Sequence, residues 1–240
     1  MKVFLKRNLN KILVIIIYIA MFYGVGELLK NIFEDKIVDA NSVILFTVIN
    51  NAIIYITLII SCAILLKQEI KTDFKKIEEN DAVKVLLTCL AGIGLVYAGN
   101  IVGSIVTSIF GGTGDSANQQ AIEMIMFSKY GFIMIIFIVI IGPITEELIF
   151  RKSMHDIFRS LNLPSWLILV ISSILFGLIH VISAGDFVQI FPYIFMGLTL
   201  GGLEIKKENI FPSIFVHIFV NALSTALIFY MDKFQDILPM

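Results

Sequence analysis

Apolar residues dominate long stretches of the chain at about residues 12–29, 43–66, 85–110, 131–158, 165–182, 187–204 and 209–231, and polar residues collect between them. A helix needs about 20 residues to cross a hydrocarbon core of ~30 Å. The pattern therefore predicts an all-α, polytopic transmembrane helix bundle of about seven spans. Two polar segments punctuate it. Residues 67–84 (K-Q-E-I-K-T-D-F-K-K-I-E-E-N-D-A-V-K) read as a cytoplasmic, solvated loop or short surface helix, and residues 111–120 (G-G-T-G-D-S-A-N-Q-Q) as a flexible turn region. Residues 121–130 then read as an additional interfacial helix leading into the fourth span. On this pattern residues 1–119 hold the first three membrane helices, and residues 120–240 form the core in which the candidate chemistry is concentrated. No internal repeat, low-complexity tract or second soluble domain is visible.

Composition agrees with a membrane chain: 58% hydrophobic and 15% charged, against about 45–50% and about 25% in an ordinary soluble domain. The formal net charge of -1 carries no signal for nucleic acid, and no nucleic-acid partner is expected; the partner in view is the lipid bilayer. What matters is where the basic residues fall. With the N-terminus in the cytoplasm, only Lys30, Lys36, Lys129 and Lys233 of the 18 basic residues lie outside, as the positive-inside rule requires. The basic start followed by apolar residues 12–25 resembles a signal peptide, but its apolar part is long and no A-x-A-like site follows, so an uncleaved first helix is expected. Cys62 and Cys89 lie in apolar runs and read as small buried hydrophobes. The Ile-, Lys- and Asn-rich composition points to a bacterial host, and so to an integral protein of the bacterial cytoplasmic membrane.

Residues 142–151, G-P-I-T-E-E-L-I-F-R, break the apolar pattern by placing Glu146, Glu147 and Arg151 inside a span. A charge at the bilayer centre costs roughly 2.5–3.5 kcal/mol on insertion scales, which makes these residues functional candidates. Two later spans carry Phe176-x-x-x-His180 and His217-x-x-x-Asn221. Residues four apart share a helix face, so Phe176 stacks beside His180, His217 and Asn221 point together, and Glu147 pairs with Arg151. Glu146, about 100° round the helix, is left without a cation on its own helix. Depth constrains the arrangement further. At ~1.5 Å per residue, His180 lies about 21 Å from Trp166 and His217 about 15 Å from Lys207. Glu146 reaches the same level only if its helix continues to Arg159, about 19.5 Å away. Arg151 is then intramembrane, with His155 one turn nearer the cytoplasm. Pro143 can kink or restart the helix just before the carboxylates. Asn50, Asn51 and Asn100 read as interhelical hydrogen-bonding groups, and Glu123, Asp186 and Glu204 as solvated or rim groups.

Two carboxylates, two histidines and an asparagine at matched depth supply a general base, a second proton carrier or ligand, and donors for an oxyanion. In their order and spacing, E-E-L-I-F-R, F-G-L-I-H and H-I-F-V-N resemble the EExxxR, FxxxH and HxxxN motifs of the CPBP intramembrane metalloproteases, the family of type II CAAX prenyl endopeptidases and bacteriocin-processing or immunity proteins. The resemblance covers about residues 120–231. It implies hydrolysis of a peptide bond in a membrane-associated peptide or protein, with Glu146 and His180 activating water, His217 and Asn221 stabilising the oxyanion, Glu147 and Arg151 completing the first motif, and Phe176 in support. Whether a divalent metal such as zinc takes part stays open: Glu146, His180 and His217 supply three donors, and activation by glutamate and histidine without metal is equally drawable. A non-proteolytic immunity or scaffold protein is the alternative. A proton-coupled transporter is disfavoured by the lack of an inverted repeat.

Overall fold

The computed structural model describes residues 2–79 and 81–235. Among the described residues six helices are long and apolar enough to cross a membrane, and the shorter apolar helix Ser165–Val181 accompanies them. At 17 residues that helix reaches the lower limit of the range for spanning. The protein is an all-helical integral membrane protein.

The first span comprises α1 (Lys2–Ile19), a π-helical stretch (Ala20–Val25) and α2 (Gly26–Phe33). The second is α3 (Ala40–Leu65), started by Asp39, whose carboxylate accepts from the Ser42 amide in a capping box. The short α4 (Lys67–Glu78) resolves the expectation for residues 67–84 in favour of a surface helix. The third span is α5 (Ala82–Ile109), capped by Asp81. The short α6 (Ala117–Met126) starts earlier than expected because Ser116 caps it, accepting from the Gln119 amide. The fourth span, Gly131–Ser160, runs through α7 (Gly131–Ile136), α8 (Gly142–Glu147) and α9 (Met154–Ser160), with π-helical stretches between them at Phe137–Ile141 and Leu148–Ser153. Then come α10 (Ser165–Val181), α11 (Ile190–Lys207) and α12 (Phe211–Gln235).

The bundle exposes many large apolar side chains as well as burying others: Leu95, Ile101 and Ile105 of α5 are all more than half exposed, as acyl chains for a solvent allow. Its interior is unusually polar. Glu147, Arg151, Ser153, His155, Ser172, Ser173 and Ser213 have no exposed surface. Small residues let the helices close on one another. A Cβ on Gly197 of α11 would stand 2.9 Å from Cα of Ser173 on α10, so only hydrogen fits there.

Polar contacts separate the two ends. At one, Asn8 donates to Ser160 at 2.9 Å, Lys11 meets Glu69 at 2.8 Å and Asp156 at 3.6 Å, and Lys152 meets Asp73 at 3.0 Å. Asn209 donates to the Asp73 carbonyl there as well. At the other end, the Ala117 amide donates to Asp186, and Gln189 to the Gly114 carbonyl at 3.1 Å. Against about seven expected spans, the described residues hold six long candidates and the shorter α10. Cys62 and Cys89 are free and buried.

Candidate active site

The fourth span builds the site through an irregularity that residue types explain. The Gly142 amide donates five residues back, to the Phe137 carbonyl, which is the π-helical pattern. The same pattern would pair the Ile138 carbonyl with the amide of residue 143, but that residue is proline and has none. Asn221 of α12 fills the gap, donating from Nδ2 to the Ile138 carbonyl at 3.0 Å. Because the partner is an acceptor, this bond also fixes which end of the Asn221 amide is nitrogen. One N–H is committed to the fourth span, and the other remains at the cavity that Asn221 helps to line.

Glu147 is fully buried and serves as the hub. One oxygen accepts from His217 Nδ1 at 2.9 Å and lies 3.1 Å from Arg151 Nη1. The other accepts from the Ser213 hydroxyl. The Arg151 contact is an ion pair without well-aligned hydrogen-bond geometry, and the guanidinium instead spreads over the Phe176 ring, 4.2 Å from its centroid. A desolvated cation–π contact contributes about 2 kcal/mol. Phe176 also meets His180 edge-on at 4.9 Å and His217 at 6.0 Å between centroids. The buried charge pair and this ring thus hold both histidines from behind.

Glu146 points the other way. With His180, His217 and Asn221 it lines a cavity of about 270 Å³. Its Oε2 lies 3.8 Å from His217 Nε2, the nitrogen that Glu147 leaves free. Among the described residues Glu146 has no Lys or Arg partner. His180 Nε2 is buried and has no hydrogen-bond partner among the described residues, and its ring stacks on Tyr193 at 4.4 Å. Thr47 and Asn51 of α3 and Asn118 and Gln119 of α6 line other parts of the cavity. As placed, Glu146, His180 and His217 do not converge on one point: no group of three His, Cys, Asp or Glu side chains among the described residues is arranged to hold a metal ion.

All three sequence motifs thus meet on one membrane-embedded cavity. The segment that carries them, residues 128–223, matches the model of the Rce1-like type II CAAX prenyl endopeptidases. A protein of Mycoplasma capricolum subsp. capricolum with no assigned function is 29% identical over 171 residues, covering 68% of this chain and 48% of its own. YdiL of Bacillus subtilis, provisionally a membrane peptidase, is 33% identical over 138 residues, covering 57% and 53%. The membrane-embedded CAAX protease MroQ of Staphylococcus aureus is 29% identical over 182 residues, covering 72% and 73%. The matched region spans about half the length of the first two of these relatives. No solved structure matches the chain.

Within residues 128–223 the structure departs from expectation at several polar residues. Glu204, expected at the rim, is 2% exposed, because His155 Nδ1 at 2.7 Å and Arg159 at 2.7 Å hold its carboxylate. His155, expected near the inner rim, is fully buried and also meets the Ser172 hydroxyl at 2.8 Å. Ser172, His155 and Glu204 have the connectivity of a nucleophile triad, but they are buried in the helix packing, with Ser172 also bonded to the Leu169 carbonyl. Their role is to neutralise Arg159 and join α9, α10 and α11. Outside the segment, Asn51 donates to Thr47 of its own helix instead of a neighbouring one. Nothing in the motif pattern singles out Ser213 or Tyr193. Ser213 lies four residues before His217, on the same helix face, and that spacing was the available signal.

Proposed function

We propose that this protein is an intramembrane endopeptidase that hydrolyses a peptide bond in a membrane-associated peptide or protein. The observation carrying the reading is the Glu146 carboxylate facing His217 Nε2 at 3.8 Å in the cavity, with Glu147 fixing His217 from behind. The match of residues 128–223 to the Rce1-like model and the similarity to MroQ, a membrane-embedded CAAX protease, support it.

In the proposed reaction Glu146 and His180 Nε2 hold a water. Glu146 takes its proton as the oxygen attacks the scissile carbonyl carbon. The oxyanion accepts one hydrogen bond from the second Asn221 N–H and one from Nε2–H of His217, which requires the ring to carry both protons while Glu147 accepts from Nδ1. Glu146 then passes the proton to the leaving amine as the C–N bond breaks, releasing a carboxylic acid and an amine. Glu147, Arg151 and Phe176 position this machinery. No step is routed through a metal, since the donors do not fit one as placed. The basic end is taken to face the cytoplasm.

The test is mass spectrometry of membrane-associated peptides from cells carrying the intact protein or Glu146→Ala. A species shortened only with the intact protein supports hydrolysis and names the substrate. Identical peptide profiles, together with a retained phenotype, would instead identify a non-proteolytic immunity or scaffold role.

A further inference from the structure

The three histidines of the chain are held in different ways. His217 is fixed by Glu147, and His155 by Glu204 and Ser172. His180 makes no hydrogen bond among the described residues; its Nε2 is buried and unpartnered. Aromatic rings set its orientation. Tyr193 lies parallel to it, with centroids 4.4 Å apart and planes 12° apart, and Phe176 meets it edge-on. Tyr193 is itself tied down: its hydroxyl bonds to the Ser116 hydroxyl at 2.7 Å and accepts from Asn118 Nδ2 at 3.3 Å. Ser116 is also the cap of α6, and α6 supplies Asn118, Gln119 and Ile122 to the cavity wall.

We propose that Tyr193 is the positioning residue of His180, holding the imidazole in one plane at the wall of the cavity it helps to line, and that the Ser116 and Asn118 bonds couple this clamp to the seating of α6. The inference rests on the reading of His180 as a water-activating group. A flexible ring without hydrogen bonds is a poor holder of a reacting water, and misplacement by about 1 Å costs on the order of 100-fold in rate. A helix that both lines the cavity and sets this ring makes the site competent only when it is in place.

The experiment uses the full chain in nanodiscs with selectively labelled histidine, whose three imidazoles are assigned by single substitutions. Tyr193→Ala is expected to abolish the upfield ring-current shift of the His180 ring protons and to lower kcat about ten-fold or more, with KM changed far less. Tyr193→Phe keeps the stack, and so restores the shift and most, but not all, of kcat. Ser116→Ala and Tyr193→Phe both raise amide hydrogen exchange across residues 117–126. His180 signals unmoved by Tyr193→Ala overturn the proposal, as does an unchanged kcat in preparations that Glu146→Gln inactivates, or unchanged exchange in both hydroxyl variants. Should Tyr193→Ala not fold, Tyr193→Leu removes the ring current at similar bulk. If the wild type cleaves no peptide, the proteolytic reading falls, while the shift and exchange still decide the clamp.

Discussion

The neighbouring carboxylates should respond in opposite ways to one substitution. Glu147→Gln keeps the side chain's shape but removes the anion 3.1 Å from Arg151, leaving a guanidinium with no exposed surface and no counter-ion. Removing one partner of a buried ion pair typically costs about 3–5 kcal/mol. For a chain of this size 1 kcal/mol moves the melting temperature by about 2–4 °C, so a fall of roughly 6–20 °C is expected. Glu146→Gln removes a carboxylate with no Lys or Arg partner and should leave the melting temperature unchanged or slightly raised, while abolishing hydrolysis. The assay is thermal unfolding in nanodiscs, read beside cleavage of the cognate peptide. The reasoning is refuted if Glu147→Gln melts with the wild type, or if Glu146→Gln loses as much stability as its neighbour.

Stability should also depend on pH at the basic end. Burial pushes the Glu69 carboxyl up, but the Lys11 ammonium bonded to it, with Lys152 nearby, outweighs that and holds it below the usual carboxylate range. A depressed pKa contributes stability above the ordinary carboxylate value of about 4.3 and loses it as pH falls through the lower folded value. Melting of Glu69→Gln should therefore lie below wild type at pH 7 by the equivalent of about 0.5–1 kcal/mol, and the two curves should merge in acid. Gly197→Val, whose Cβ would collide with Ser173, should cost about 1–3 kcal/mol of overpacking. Gly202→Val, with no neighbour within 4 Å of its Cβ, should be far milder in the same melt. Cleavage should survive removal of divalent cations with a strong chelator; its loss, with recovery on adding zinc, would replace the metal-free scheme.

Spacing and depth in the sequence brought Glu146, His180, His217 and Asn221 to one level because each motif uses the four-residue repeat of a helix, and the structure places all four on one cavity. The pairing of Glu147 with Arg151 was legible for the same reason. Helix ends were legible where apolar runs stop, as at Ser165–Val181 against the expected 165–182. The burial of Glu204 was not, since its relief comes from His155 and Arg159, which lie far away in sequence. Nor was the stack of Tyr193 on His180, since nothing in the local pattern of α11 marks an aromatic that packs on another helix. The π-helical stretches left no periodic trace either, and only Pro143 hinted at them.

Those stretches have a consequence for how the chain can vary in length. With Phe137–Ile141 before them and Leu148–Ser153 after them, Glu146 and Glu147 stand between two widened turns. Deleting one residue from either would restore an ordinary ladder there and swing one side of the span by about 100° against the other. Glu146 would leave the cavity, or Arg151 would leave Glu147. Lipid-facing positions of this helix can exchange one apolar residue for another, but its residue count is fixed.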